Sequence, residues 1–384
     1  MQKNIEHFVL YKNEHYFSSF PSIALLDNSS SNSKQLLLMF RRARDSRWLL
    51  EADDEESLLI KHQVDHVDSR SQLTKMVFDL DLKPLSEAEP LPINPEAADQ
   101  DASLLVLSNK ELLLSSFSWY PIHSRLSKAL QKKGVSLYGH PDVTGCFYVL
   151  WGGFTRISND MGNTWSAHNY LPVTPDTNDI IPGKRSVHGG SIRGQAIEVG
   201  NEILLPVYTR LKNDQVSTSH MYYSNDQGRS WTYRSIIARD QQQKLSLNEP
   251  SLLQINDNKI MAFMRNTSGN DHLVTAVSND LGHTWQDWKE RRVIGHPTHP
   301  LRLSDGRIFI CYGYRHEPFG IRGYLMDSSA DNFIGDEIII RDDGLCGDVG
   351  YPWAVEMPDG KILVVYYFTE DDGIRHIAGS LLTI

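Results

Sequence analysis

Three cysteines in 384 residues, Cys146, Cys311 and Cys346, are too few and too scattered for a disulfide framework or a zinc site. They read as thiols in a reducing compartment. No apolar run approaches membrane-spanning length. The N-terminal MQKNIEHFVLYKNEHYFSSF also lacks a hydrophobic stretch of signal-peptide length, so the expected location is cytoplasmic. A basic tract is missing as well. With a net charge of −10 and both signs interspersed, a nucleic-acid partner is not expected. An acidic chain that binds an anion must gather its positive charge locally, which makes arginine positions informative. Amphipathic helix is scarce: only SKALQKK, residues 127–133, has the composition for a turn or two.

What the chain does have is a repeated strand frame. NEPSLLQINDNKIMAFMRN, residues 248–266, reads as two strands around the polar turn Asn256-Asp257-Asn258. Taking Lys259 as the register position, Gln35, Glu111, Glu202, Arg307 and Lys361 open runs of the same shape: QLLLMFR, ELLLSSF, EILLPVY, RIFICYG and KILVVYY. Their uneven spacing excludes a solenoid and suits a radial array with loops of variable length. Two long insertions, residues 121–145 and 166–190, belong on the binding face or its rim. EHFVLYKN, residues 6–13, is either a strand that closes the ring or a loose tail. Residues 84–101, rich in Pro, Glu and Asp, read as the connection between the first two units.

A second repeat lies over the first. SNDMGNTW (158–165), SNDQGRSW (224–231) and SNDLGHTW (278–285) share the pattern S-x-D-x-G-x-[ST]-W. Its residue types serve a local need. Asp, Ser and Thr side chains bond backbone groups in a tight turn, Gly takes a conformation others avoid, and Trp anchors the turn between sheets. They are structural staples rather than catalysts.

These three turns resemble the Asp-boxes of the sialidase (neuraminidase) superfamily, and the resemblance extends over nearly the whole chain. It implies an all-β fold, a six-bladed β-propeller of four-stranded antiparallel sheets forming one domain over residues 1–384. Sialidases hold a substrate carboxylate with three arginines from blades one, four and five. Six positions after the register residue this chain carries Arg41, Phe117, Tyr208, Arg265, Gly313 and Tyr367. Arg41 and Arg265 therefore match, and blade five offers Arg315 or Arg322. Planar guanidiniums converging on one carboxylate make a selective clamp.

Ten positions before the register residue lie Glu249 in blade four and Tyr351 in blade six. The resemblance gives these columns to the base and the nucleophile. A sugar whose anomeric carbon bears a carboxylate repels a carboxylate nucleophile, and a phenol activated by a neighbouring base avoids that repulsion. The acid of the family follows the first arginine by about two dozen residues, which gives Asp65, with Asp68 as the alternative. Departures are visible. Arg41-Arg42-Ala43 stands where the family has Arg-Ile-Pro, and Pro352 follows Tyr351 where a small serine is common. His66, His188, His296, His299 and His316 lie near loop starts and leave room for a relative that handles a different acidic sugar.

The implied activity is a retaining exo-glycoside hydrolase acting on a terminal 2-keto-3-deoxy sugar acid, sialic acid or a close analogue, with no cofactor or metal. One alternative is a hydrolase of 3-deoxy-octulosonic acid (Kdo) with the same mechanism. Another is a polysaccharide lyase on uronic acids with Tyr and either His188 or His123. A non-catalytic sugar-binding propeller is the third. The expected partner in every case is an acidic sugar or glycoconjugate.

Overall fold

The structure is a computed structural model that describes residues 4–28, 33–45, 68–139, 146–177 and 189–384. Six antiparallel sheets follow one another along the chain as the blades of a propeller. Blade one pairs Tyr16–Asn28, Ser33–Arg44, Gln72–Phe78 and Glu89–Pro90. Blade two has an inner edge in two pieces, Ala98–Asp99 and Ser103–Val106, followed by Leu112–His123, Cys146–Ser158 and Asn169–Tyr170. Blade three runs through Ile197–Val199, Glu202–Thr209, Thr218–Ser224 and Thr232–Ala238. Blade four uses Leu247–Gln254, Ile260–Asn266, His272–Ser278 and Lys289–Ile294, and blade five Thr298–Arg302, Ile308–Tyr314, Gly320–Met326 and Phe333–Arg341. Blade six has three consecutive strands, Gly350–Glu356, Ile362–Thr369 and Arg375–Leu382. Its fourth is Ile5–Tyr11 from the start of the chain, so this segment closes the ring.

The register residues behave as one column. Each lies in the second strand of its blade or immediately precedes it. Strand alternation then sends one side chain of each pair toward one neighbouring blade and the next toward the other. Buried apolar residues accordingly form one cluster per blade junction. Leu36, Leu38, Leu363 and Val365 join blades one and six, while Met261, Phe263, Ile308 and Ile310 join blades four and five. A short helix, Ser127–Lys132, is preceded by a 3-10 turn over Ser124–Leu126 and matches the sequence reading. The 84–101 connection is more ordered than a linker, because it contributes the outer edge of blade one and the first inner piece of blade two.

The three Asp-box turns are built alike. Asp280 accepts from the Thr284 backbone N–H at 2.9 Å and its hydroxyl at 2.6 Å, and Ser278 Oγ accepts from Gly282 N at 2.7 Å. Gly282 sits at φ +82, which a Cβ would make strained. The indole N–H of Trp285 donates to Ser235 Oγ in blade three, and that of Trp231 to Thr155 Oγ1 in blade two. Two of the three staples thus tie a blade to its predecessor. Among the described residues no helix is long and apolar enough to cross a membrane.

Candidate active site

The inner strands of blades one, four and six share a local irregularity that positions the site. Between paired residues Asn248↔Arg265 and Ser251↔Phe263 the inner strand holds one residue more than its partner. The same happens between Gly350↔Tyr367 and Trp353↔Val365, and between Ser19↔Arg41 and Ser22↔Met39. A bulge of this kind bends the strand and re-aims a side chain. The re-aimed residues are Glu249, Tyr351 and Phe20, at φ +49, +51 and +54. Each is followed by proline, Pro250, Pro352 and Pro21, which suits a bulge because no ladder N–H is required there. A non-glycine residue in this region costs about 1–3 kcal/mol. Three such residues stand in equivalent places of blades one, four and six.

The side chains that meet there are buried and strongly coupled. The Tyr351 hydroxyl donates to Glu249 Oε1 and accepts from Arg265 Nη1 at 2.9 Å. Arg265 Nη1 also lies 3.2 and 3.3 Å from the two Glu249 oxygens. Burial alone would raise the Glu249 carboxyl, but the Arg265 charge and the Tyr351 hydroxyl outweigh it and hold it below its ordinary range. Burial and the Glu249 charge push the Tyr351 phenol upward, against Arg265 and Arg315. At neutral pH the pair is therefore a neutral phenol donating to a carboxylate.

Arg315 stands over the Tyr351 ring, 5.5 Å from its centroid. It is steered by Tyr367, whose hydroxyl accepts from Arg315 Nη2 at 2.7 Å and donates to Asp348 at 2.6 Å. Gly313, in the same column, packs against blade six, where a Cβ would lie a tight 3.0 Å from the Gly350 Cα. Arg41 lies over the Phe20 ring at 5.6 Å, and that ring packs edge-on against Tyr351 at 4.7 Å. Arg41 is fully buried, and none of its three guanidinium nitrogens has a hydrogen-bond partner among the described residues. Burial lowers its pKa to about 10, with Asp68 and Asp101 opposing the shift. Arg41, Arg265 and Arg315 therefore surround one pair of rings.

Arg322 is not brought to this group. It donates to the Arg341 backbone carbonyl at 2.7 Å and stacks on Tyr314, bracing the outer half of blade five. Arg42 also points elsewhere, to the Tyr11 hydroxyl at 3.1 Å and over the Tyr16 ring. Asp65, like His66 and His188, lies outside the described residues. Asp68 is described, and its charge is the largest of those that favour the Arg41 cation. His123 caps the short helical turn by accepting from Arg125 N at 3.1 Å. His299 bonds the Ala354 carbonyl and stacks on Trp353 at 4.3 Å.

Several residues around this group were given no role by the sequence reading. Tyr208 and Tyr367 occupy the arginine column but are not arginines, and Tyr208 lies in the field of Glu249, Tyr351 and Arg265. His296 pairs with Asp271 at 3.2 Å, and Asp271 pairs again with His316 at 3.2 Å. Arg193, in the strand approach to blade three, reaches the axis itself. The recurring X-Pro dipeptide at the bulge was the available signal for Phe20.

Burial of histidines gives a measurable pH dependence. His220, His296 and His299 are lowered by burial to about 3, 4 and 3, with nearby arginines adding to the effect. Between about pH 4 and 6.5 the unfolded chain binds protons that the fold excludes, so stability rises with pH there and is lost on acidification. Each histidine contributes at most about 1.4 kcal/mol per pH unit. The urea midpoint should fall clearly between about pH 7 and pH 5; a flat midpoint would show that these rings do not stay neutral in the fold.

Comparison with known proteins agrees with this fold. The family model described as a BNR repeat-like domain matches residues 138–364. A protein of unknown function from Dyadobacter fermentans DSM 18053 is 30% identical, with 99% of each chain covered and a TM-score of 0.85. NanB sialidase from Streptococcus pneumoniae is 13% identical over 97% of this chain and 70% of its own, at a TM-score of 0.60. Trypanosoma rangeli sialidase is 13% identical over 99% of this chain and 60% of its own, at 0.63. No curated protein matches by sequence. Fold and repeats together define a six-bladed Asp-box propeller. The chain belongs to the BNR repeat-like family.

Proposed function

We propose that this propeller is a retaining exo-glycosidase that releases a terminal 2-keto-3-deoxy sugar acid, sialic acid or a close analogue such as Kdo. The observation that carries the reading is the Tyr351 hydroxyl, shared between Glu249 and Arg265 with Arg315 over its ring. Arg41, Arg265 and Arg315 hold the substrate carboxylate. Tyr351 Oη attacks the anomeric carbon as Glu249 takes its proton, and the bond to the leaving oxygen breaks as Asp65, or Asp68 in its place, protonates that oxygen. In the second half the same aspartate takes a proton from water. The water oxygen then displaces the tyrosyl oxygen, which recovers its proton from Glu249. Retention of configuration follows from the two displacements.

A fluorogenic sialoside and a fluorogenic Kdo glycoside, assayed side by side, test the proposal. Release from either one, with the α-anomer of an α-substrate appearing first by NMR, is the expected result. An unsaturated uronic product from a polyuronate, with neither glycoside cleaved, would replace hydrolysis with lyase chemistry.

A further inference from the structure

Arg193 and Gly194, at the approach to blade three, touch all three bulges that shape the site. Arg193 is 3% exposed. Its Nη2 donates to the Tyr351 carbonyl at 2.8 Å and to the Pro21 carbonyl at 3.2 Å, and its Nη1 to the Ala102 carbonyl at 3.2 Å. Pro21 follows Phe20 in the blade-one bulge, so one guanidinium joins the bulges of blades one and six to the inner edge of blade two. Its charge faces Asp101 at 3.8 Å, and its plane lies 5.1 Å from the Tyr351 ring and 5.5 Å from the Trp353 ring. Gly194 serves the third bulge. A Cβ there would stand 1.7 Å from the Pro250 carbonyl oxygen, the residue after Glu249. Only glycine lets the blade-four bulge come this close.

We propose that Arg193-Gly194 is a positioning dipeptide: Arg193 holds the Tyr351 main chain in its left-handed conformation, and Gly194 admits the bulge that carries Glu249. The role in turnover rests on the hydrolase reading above; the geometric role does not. The physical argument is the placement of the donors. Tyr351 at φ +51 precedes a proline, and its relaxed alternative is extended backbone. That change would swing the phenol away from Glu249 and Arg265. The Arg193 bond at 2.8 Å is made to the carbonyl that would have to move. No atom of Arg193 hydrogen-bonds the phenol, Glu249 or any clamp arginine, which makes it a positioning residue.

The test uses the full chain with Arg193→Met, which keeps the apolar stem and removes the donors, alongside Arg193→Lys and Gly194→Ala. Two readouts are taken. The first is kcat on the glycoside that the wild type cleaves, against the affinity for the released sugar acid. The second is the fluorine NMR signal of 3-fluorotyrosine at position 351, which needs no turnover. Arg193→Met should lower kcat by about 100-fold, the scale of a misplacement of roughly 1 Å, while product affinity changes only a few-fold. Its fluorine signal should shift or split, and Arg193→Lys should recover part of both. Gly194→Ala should likewise lower kcat more than affinity, and it stands in should Arg193→Met not fold. A folded Arg193→Met or Gly194→Ala variant with an unmoved fluorine signal overturns the proposal, as does a kcat loss matched by an equal loss of affinity. If the wild type cleaves neither glycoside, the hydrolase reading falls and the fluorine signal still decides the positioning.

Discussion

Tyr351→Phe should lose about four to six powers of ten in turnover, the scale seen when a nucleophile of an interdependent set is removed. The substitution takes away one oxygen and leaves a ring that packs against Phe20 and Tyr367 as before. Glu249 does not become an orphan, because both its oxygens stay within 3.3 Å of Arg265 Nη1. Stability should therefore change by only about 1 kcal/mol. Single-turnover kinetics on the active glycoside measure the loss. With a fluorinated ulosonic substrate the wild type should also carry a mass increment on the peptide containing Tyr351. A Tyr351→Phe enzyme of ordinary activity would remove the tyrosine from the reaction.

Arg41→Met should act in opposite directions on stability and on binding. The Arg41 cation is buried with no hydrogen bond from any of its nitrogens among the described residues, and a buried unsatisfied polar group commonly costs about 1–3 kcal/mol. Methionine fills much of the same volume without that cost, so the ligand-free protein should gain about 1 kcal/mol or more. The clamp loses a charged hydrogen-bonding partner for the carboxylate, and such a truncation costs about 2–5 kcal/mol of binding. A raised melting temperature together with a KM or product Kd weakened by more than tenfold is the expected signature. Unchanged binding would take Arg41 out of the clamp. A large loss of stability would mean that its burial is structural.

What the sequence made legible was whatever is encoded over short distances. The hairpin frame and the Asp-boxes depend on turns of a few residues, and both appear where the spacing placed them. Counting within that frame also located Glu249 and Tyr351 in equivalent strands, because the bulge falls at one column of the repeat. Choosing between neighbours needed the third dimension. Arg41 and Arg42 differ by one step along a strand and so face opposite sides, one toward the axis and one toward Tyr11 and Tyr16. Arg315 and Arg322 sit across a hairpin from each other, and only the first reaches Tyr367. Arg193 was out of reach for a different reason. Its partners Pro21, Ala102 and Tyr351 are backbone carbonyls from three other blades, and carbonyls leave no mark in a sequence.

The closing strand sets the order in which the molecule can be made. Ile5 pairs with Leu382, so this strand leaves the ribosome long before its partner. At roughly 5–20 residues per second the interval is on the order of 20–70 s. Meanwhile Ile5–Tyr11 presents an unpaired edge, and the nascent chain cannot shut its circle. Tyr351 belongs to the same late sheet, whereas Arg41 belongs to the first completed one. A nascent chain therefore holds Arg41 in a finished sheet long before it holds Tyr351. Chaperone protection of that early edge, or a pause before the last sheet is translated, would govern how much of the newly made protein reaches the closed ring.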